Sequence, residues 1–566
     1  MTNTETFIAA ETGPAELSAE GGPAATRRGQ WAWALYEAAR DPNIVFQIYV
    51  ISPFFATVMI RDPIRGQELW GSVTAYSGYI TALLCPFLGA IADRGGPRKP
   101  WLALFTLLMV LSFAGTWFGV PDAPASIVWI VSAAVVVNNV VFEFSNAFHG
   151  AMLPSLAPAA RIGGLSGLSF ALGSGAGFVL MVIFLMLFML PHAPIVLPEH
   201  VAERLSGPVT ALWMLVFAVP LFLYTPDRPR AAVSGWAAMK DGVESVMRTV
   251  FSLRHYRNVA HYIGARALFN DGLTGVLTFS GIYIAGTFHL GTLSMIVFGL
   301  TIVLSGAVGG FFGGWLDDRF GSRVALLITV GGTALCFGLG LTMGPDRLFW
   351  FIPVDPNAPA SLPIPFFDTW PKVVYGVLIS LAAVFVVGAY ANNRTMLARI
   401  APVEKMTEFF GLMSLSGTAA TFLAPLLVAE VTQWTHSQRG GMVAIVVLLA
   451  AGWVWMLFVK EERETPAPDE AAIDIADATA KTALAGLAIW IVLAVEAGAR
   501  HLFAPQPVSS LEGALFAGIA AGVALALAAM ALRRGRWRFG ALVMAVLSAL
   551  PSAFVALNVL GDAVFR

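Results

Sequence analysis

Apolar runs long enough to cross a bilayer recur along almost the whole of this chain. That recurrence constrains its fold more than any single motif. Spanning about 30 Å of hydrocarbon takes about 20 predominantly apolar helical residues. Such runs lie near 32–60, 71–92, 101–119, 126–150, 164–190, 208–224, 259–285, 292–315, 323–343, 371–396, 410–432 and 440–459. Three more lie near 482–502, 512–532 and 539–560, which makes fifteen expected spans. Of the 566 residues 57% are hydrophobic and only 12% are charged, with a mean hydropathy of +0.74. Water cannot solvate such a surface, so an all-α protein lying mostly in lipid is expected.

Composition also excludes whole classes of function. The net charge of −1 leaves no basic footprint for nucleic acid. The two cysteines, Cys85 and Cys336, rule out a disulfide framework, and no metal-ligand spacing occurs. Gly173, Gly175 and Gly177 are not followed by the Lys-Ser/Thr of a phosphate loop, so they read as helix packing. No nucleophile–base or metal constellation is found. The chain therefore reads as a non-enzyme without a cofactor, and ATP hydrolysis is not expected to drive it.

Residues 1–30 read as a disordered cytoplasmic tail. With that tail inside, the inner loops carry Arg94, Arg98 and Lys99, then Arg228, Arg230 and Lys240, then Arg319 and Arg323. The outer loops are poorer in Lys and Arg, as the positive-inside rule asks. The boundaries expected are a first six-helix bundle over 31–225, an inter-bundle loop over 226–257 and a second six-helix bundle over 258–462. An acidic linker over 463–481 and extra membrane helices within 482–566 follow. An amphipathic helix is expected around 235–252.

The chain repeats itself. Gly89-Ala-Ile-Ala-Asp93-Arg94-Gly-Gly-Pro-Arg98 returns as Gly314-Trp-Leu-Asp-Asp318-Arg319-Phe-Gly-Ser-Arg323, with Gly, Asp-Arg, Gly and Arg at one spacing and an offset of 225. Met152-Leu153 and Ala157-Pro158 return as Met396-Leu397 and Ala401-Pro402 at an offset of 244. Two parallel six-span halves are the layout of a major facilitator transporter. The Asp-Arg loop is expected to act as a gating latch on the cytoplasmic side. Its aspartates would take hydrogen bonds from helix N-termini, and its arginines would anchor at headgroups.

Several runs resemble a narrower family, the vacuole effluxers. They are Trp33-Ala-Leu-Tyr36-Glu37, Leu88-Gly-Ala-Ile-Ala-Asp93-Arg-Gly-Gly-Pro-Arg98-Lys99-Pro-Trp101, Ala151-Met-Leu-Pro-Ser-Leu-Ala-Pro158, Phe269-Asn270-Asp271-Gly272, Gly281-Ile-Tyr283 and Glu408-Phe-Phe-Gly-Leu412. The resemblance covers about residues 30–462. That family includes autophagy-related vacuolar amino-acid exporters and many bacterial permeases, so it implies export of amino acids or short peptides. In one place the chain departs from the pattern. Family members usually follow the first-span Tyr with a run such as Asp-Trp-Ala-Asn-Ser, whereas this chain has Glu37-Ala-Ala-Arg40-Asp41-Pro42-Asn43.

An ionisable group at mid-membrane costs several kcal/mol by most estimates, about 2.5 or more, and therefore has a partner or a job. Such groups fall in spans 1, 4, 7 and 10, the first helix of each three-helix unit, which lines the cavity in this superfamily. The solute-binding candidates are Tyr36, Glu37, Arg40, Asp41 and Asn43 in span 1, and Asn139, Glu143 and Asn146 in span 4. Arg266, Asn270 and Asp271 in span 7 and Tyr390, Asn393 and Arg394 in span 10 complete the set. Tyr36, Arg40 and Asn43 share one helix face if the helix runs through Pro42. Glu143, Glu37 and Asp41 are the expected proton carriers, because burial raises a carboxylate toward neutral pH. His149 is expected to pack or cap. Acidic and basic groups together suit a zwitterion. The expectation is a monomeric secondary transporter of a small polar solute, in a bacterial inner membrane and coupled to protons. The rivals are a sugar or lipid-like solute, or a non-transporting scaffold or sensor.

Overall fold

The computed structural model describes residues 17–18, 22–94, 97–158, 161–190, 192–227, 253–356, 368–402, 409, 412–413, 417 and 421–462. The expected tail, the amphipathic helix near 235–252, the acidic linker and the last three spans lie outside the described residues.

Twelve helices follow one another among the described residues. The first six are α1 (Arg27–Met59), α2 (Pro63–Arg94), α3 (Lys99–Gly115), α4 (Ala125–Leu156), α5 (Ile162–Phe184) and α6 (Val201–Tyr224). The second six are α7 (Arg257–Phe288), α8 (Thr292–Phe320), α9 (Ser322–Leu341), α10 (Trp370–Ile400), α11 (Leu423–Thr435) and α12 (Gln438–Met456). Nine of them are long and apolar enough to cross a membrane. The expected total of fifteen spans is thus not reached among the described residues. Within the run expected over 410–432, the described residues 412–413 and 417 are helical, and α11 covers Leu423–Thr435. A short antiparallel hairpin, β1 (Arg347–Leu348) with β2 (Ile352–Pro353), lies between α9 and α10.

Local chemistry accounts for the helix ends. The Thr26 hydroxyl accepts from the Gly29 N–H at 3.2 Å and caps α1. Pro100 and Pro371 sit in the first turns of α3 and α10, where no intrahelical N–H is needed. The helix α1 does run through Pro42. It passes a single turn residue at Asp41, resumes over Pro42–Phe46, and then loosens into π-helical turns at Gln47–Ile51 and Phe55–Met59. Such turns often mark functional sites.

Helix pairing repeats with a shift of six. α1 packs on α5 and α6, α3 on α4 and α6, and α2 on α4. Likewise α7 packs on α11 and α12, α9 on α10 and α12, and α8 on α10. Two bundles result, and they meet through α2 with α11 and α5 with α8. A core of Trp33, Tyr36, Leu102, Phe105, Phe148 and Leu221 fills the first.

The hydrogen bonds between bundles, among the described residues, cluster at the face opposite the N-terminus. There Gln67 donates to Thr432 Oγ1 at 2.9 Å and to the Gln438 carbonyl at 3.0 Å, while Gln438 donates to the Pro63 carbonyl at 2.8 Å. Thr292 donates to Glu203 Oε1 at 2.6 Å on the same face.

At the N-terminal face the two halves share one device. The Asp227 carboxylate, just after α6, accepts from the Arg98 and Lys99 backbone N–H groups, both at 2.9 Å, and so caps α3. The Glu461 carboxylate, just after α12, accepts from the Ser322 and Arg323 N–H groups at 3.1 and 2.9 Å and caps α9. The side chain of Lys99 reaches the Phe222 carbonyl at 3.0 Å, and that of Arg323 reaches the Val459 and Leu457 carbonyls at 2.6 and 2.9 Å. Each half thereby ties the start of its third helix to the end of its sixth.

Candidate functional site

The conspicuous polar constellation sits on α1 and α4, facing the second bundle. Arg40 is only 4% exposed. Its Nη2 lies 3.2 Å from Asp41 Oδ1 and 3.7 Å from Glu37 Oε1, and its Nη1 donates to Asn146 Oδ1 at 3.3 Å. The guanidinium also lies over the Phe142 ring, 4.7 Å from its centroid. The Asp41 carboxylate presses on Gly173 of α5, where an added methyl would stand 2.2 Å from Oδ2. Helix packing is what brings Gly173 to the site.

Glu143, one turn before Asn146, makes no hydrogen bond or ion pair among the described residues. Arg40 of its own bundle lies within electrostatic reach of it, and so does Tyr390 of the other. Glu143 is thus the carboxylate that faces the space between the bundles with its charge least committed.

Not every candidate lines that space. The Tyr36 hydroxyl is buried and bonded to Thr106 and Ser145 at 2.7 and 2.9 Å, so it holds α1 to α3 and α4. Asn43 exchanges two 2.9 Å amide hydrogen bonds with Asn138. Asn139 accepts from Gln47 at 2.9 Å, and Asn138 donates to Gln47 at 3.2 Å. Gln47 belongs to the site and was not among the sequence candidates, although its i+4 spacing from Asn43 marked it. His149 packs as expected, with its ring stacked on Trp33 at 4.3 Å and Nε2 bonded to the Trp33 carbonyl at 2.8 Å.

The second bundle uses its charges differently. Arg266 donates to the Met413 carbonyl at 2.8 Å, and Asp271 Oδ2 accepts from the Ala424 N–H at 2.5 Å. Both charges of α7 therefore hold backbone groups, the Met413 carbonyl and the Ala424 N–H. Asn270 accepts from Asn393 at 3.4 Å, and Tyr390 shares a 3.1 Å hydrogen bond with Thr274. Arg394 lies on α10, and its side chain is outside what is described.

The expected latch is changed in the second half. Asp318 and Arg319 are exposed, and Asp317 is the buried acid. Neighbouring helix positions point about 100° apart, so only one of the two aspartates can face inward. Asp317 accepts from the Ser322 hydroxyl and from Arg399 Nη2 at 3.1 Å, and Arg399 Nη1 pairs with Glu461 at 2.6 Å. Gly321 stands at φ +84°, a conformation that a side chain resists, which explains the glycine in the repeated loop. Gly314 is a helix position with open space beside it, and Arg323 anchors to α12 as described. In the first half Arg98 is buried, while the side chains of Gly89, Asp93 and Arg94 lie outside the described set.

Two pseudo-repeated bundles, closed at one face and enclosing buried charges between them, define a secondary transporter that works by alternating access. The fold is that of the major facilitator superfamily. It matches the xylose transporter XylE from E. coli with a TM-score of 0.52 at 14% identity, covering 78% of this chain and 97% of that one. The family model "Vacuole effluxer Atg22 like" matches residues 159–468, and the chain belongs to that family. It is 24% identical over 445 residues to the uncharacterized MFS-type transporter YxiO of Bacillus subtilis strain 168, covering 77% of this chain and 95% of the relative. It is also 22% identical over 319 residues to autophagy-related protein 22 of Yarrowia lipolytica, covering 53% of this chain and 50% of that protein.

Proposed function

We propose that this chain moves a small polar solute, amino acids or short peptides, across a bacterial inner membrane by alternating access coupled to protons. The observation that carries the reading is Arg40, buried between Glu37 and Asp41 with Glu143 uncommitted beside it. A guanidinium is the natural partner of a solute carboxylate, and it stays charged at any working pH. Three carboxylates against one guanidinium leave room for a solute ammonium group and for a transferable proton. A dianion fits that balance poorly.

The cycle follows from the geometry. The bundles are tied at the face opposite the N-terminus, so this state loads from the N-terminal face, which we take as cytoplasmic, and the family resemblance favours export. Solute carboxylate competes with Asp41 and Glu37 for Arg40, and the released acid takes the proton or the solute amine. Glu143 carries the coupled proton, since a neutral carboxyl crosses the low-dielectric space at lower cost than a carboxylate. Reorganisation then breaks the Gln67–Gln438 and Glu203–Thr292 ties.

The test is uptake into proteoliposomes under an imposed pH gradient, with a mixed panel of amino acids and dipeptides and Glu143→Gln as control. Gradient-driven uptake that collapses in the control supports the reading. Folded protein that moves nothing on the panel contradicts it and favours a sugar, a lipid-like solute or a scaffold.

A further inference from the structure

A cavity of about 380 Å³ lies at the tied face, and no step of the proposed cycle uses it. That size falls within the range of small-molecule sites, about 300–1,000 Å³. Both bundles build its walls. Asp62 and Pro63, where α1 passes into α2, form one side. Tyr283 and Gly286 near the end of α7, with His436 to Arg439 at the start of α12, form the other. The wall includes the tie itself, because Gln438 donates to the Pro63 carbonyl at 2.8 Å. Gly286 makes room for that amide, which a methyl group there would strike. When the bundles part, the two walls separate and the site is lost.

The lining favours a carboxylate. The Tyr283 hydroxyl is fully enclosed and has no hydrogen-bond partner among the described residues, although buried phenols normally find one. Tyr283 shares a face of α7 with Gly286 and Thr287, at i+3 and i+4, and all three line the cavity. The Arg439 guanidinium donates to the Met343 carbonyl at 2.9 Å and has no carboxylate partner among the described residues. The N-terminus of α12, capped by Ser437, adds its positive end. Asp62 is the one acid in the lining. Its Oδ1 accepts from the Ile64 and Arg65 N–H groups at 2.9 and 3.1 Å, so it is committed to the start of α2. Arg65 and Glu68 nearby pair with each other at 3.2 Å. A monoanion fits this balance, whereas a polyanion is repelled by Asp62.

We infer that this cavity is a regulatory site for a small carboxylate, separate from the central solute site, and that its occupant holds the bundles in the tied state. The inference needs alternating access and no particular solute. Arg439 and Tyr283 hold the carboxylate, and the rest of the ligand lies against Pro63 and Ile64 of the first bundle. A ligand that touches both walls binds the tied state better, so it draws the population toward that state. Carboxylate that accumulates at the far face thereby slows opening toward that face.

The test titrates the full chain in detergent with sodium lactate, against equal sodium chloride, and reads the thermal midpoint. Lactate is expected to raise the wild-type midpoint saturably. Tyr283→Phe is expected to weaken the apparent affinity about tenfold, as loss of one hydrogen bond to a charged group does, without lowering the midpoint of the unliganded protein. Gln67→Ala loosens the tie from outside the cavity lining and is expected to weaken the affinity as well. In that variant, with Cys85→Ser and Cys336→Ser, spin labels at Arg61→Cys and Gln433→Cys read the tie, and lactate is expected to restore a single short distance. Alanine beside lactate identifies the source. A shift by alanine that Tyr283→Phe weakens makes the transported class the occupant, and a shift by lactate alone makes it another carboxylate. A midpoint that follows lactate no more than chloride, an affinity equal in wild type and Tyr283→Phe, or lactate that binds without restoring the short distance each overturns the inference. None of these outcomes touches the proton-coupled reading, which uptake decides.

Discussion

The two bundles repeat each other in helix pairing and in their terminal carboxylate caps, yet they spend their buried charges in different ways. In the first, Arg40, Glu37, Asp41 and Asn146 bond side chain to side chain, and Glu143 is left over. In the second, Arg266 holds the Met413 carbonyl and Asp271 holds the Ala424 N–H in the first turn of α11. A side-chain network can exchange partners with a solute at modest cost. A charge that satisfies a backbone carbonyl or N–H leaves that group without its partner when it moves. The difference teaches that fold symmetry need not bring symmetry of chemistry. In the proposed cycle the first bundle binds and couples, and the second supplies the surface against which it works.

The largest expected effect breaks this contrast most directly. Arg40→Gln leaves Glu37 and Asp41 buried without their cation, which typically costs about 3–5 kcal/mol. Transport should fall below detection, and Arg40→Lys should not restore it, since one ammonium cannot reproduce the planar fork. Arg266→Gln should lower the thermal midpoint, its charged hydrogen bond to the Met413 carbonyl alone being worth about 1.5–3 kcal/mol, while folded protein keeps measurable uptake. Uptake lost in Arg266→Gln and kept in Arg40→Gln would reverse the assignment.

A smaller effect separates capping from charge at Asp271. Asp271→Asn keeps an acceptor for the Ala424 N–H, whereas Asp271→Ala removes it and should cost about 0.5–2 kcal/mol, as lost caps do. Thermal midpoints in detergent should rank wild type and Asn together above Ala. A midpoint for Asn as low as that for Ala would show that charge, not capping, matters there.

Gly173→Ala sharpens the picture of the first bundle. The added methyl must displace the Asp41 carboxylate, so KM should rise several-fold with little change in midpoint. An unchanged KM would detach Asp41 from binding.

The smallest effect concerns Glu461. Partial burial pushes its carboxyl up, but the Arg323 N–H, the Arg399 guanidinium and the Ser322 N–H outweigh this and hold it below its ordinary 4.5. A depressed carboxylate stabilises the fold above its ordinary value and loses that contribution as pH falls through the folded one. The midpoint difference between wild type and Glu461→Gln should therefore be full at pH 7 and shrink below 4.5. A difference that grows on acidification would contradict the cap.

Much of the architecture can be read from the chain because it rests on long-range regularities. Apolar runs and a loop repeated at an offset of 225 mark the helices and the two halves. The polar residues of spans 1 and 4 stood out because charge in an apolar run is costly, and the structure brings Arg40, Glu37, Asp41 and Asn146 together. Two things were hidden. The choice of Asp317 over Asp318 depends on helix rotation, which an Asp-Asp pair does not reveal. Tyr283 and Tyr375 look like ordinary apolar filling until their hydroxyls are found enclosed.

The most direct test of the contrast is proton-coupled uptake measured side by side for Glu143→Gln and Asp271→Asn, each with solute exchange at equal pH as control. The account predicts that Glu143→Gln keeps exchange and loses gradient-driven accumulation, while Asp271→Asn keeps both. Accumulation that survives in Glu143→Gln and disappears in Asp271→Asn would place the coupling chemistry in the second bundle and contradict the account.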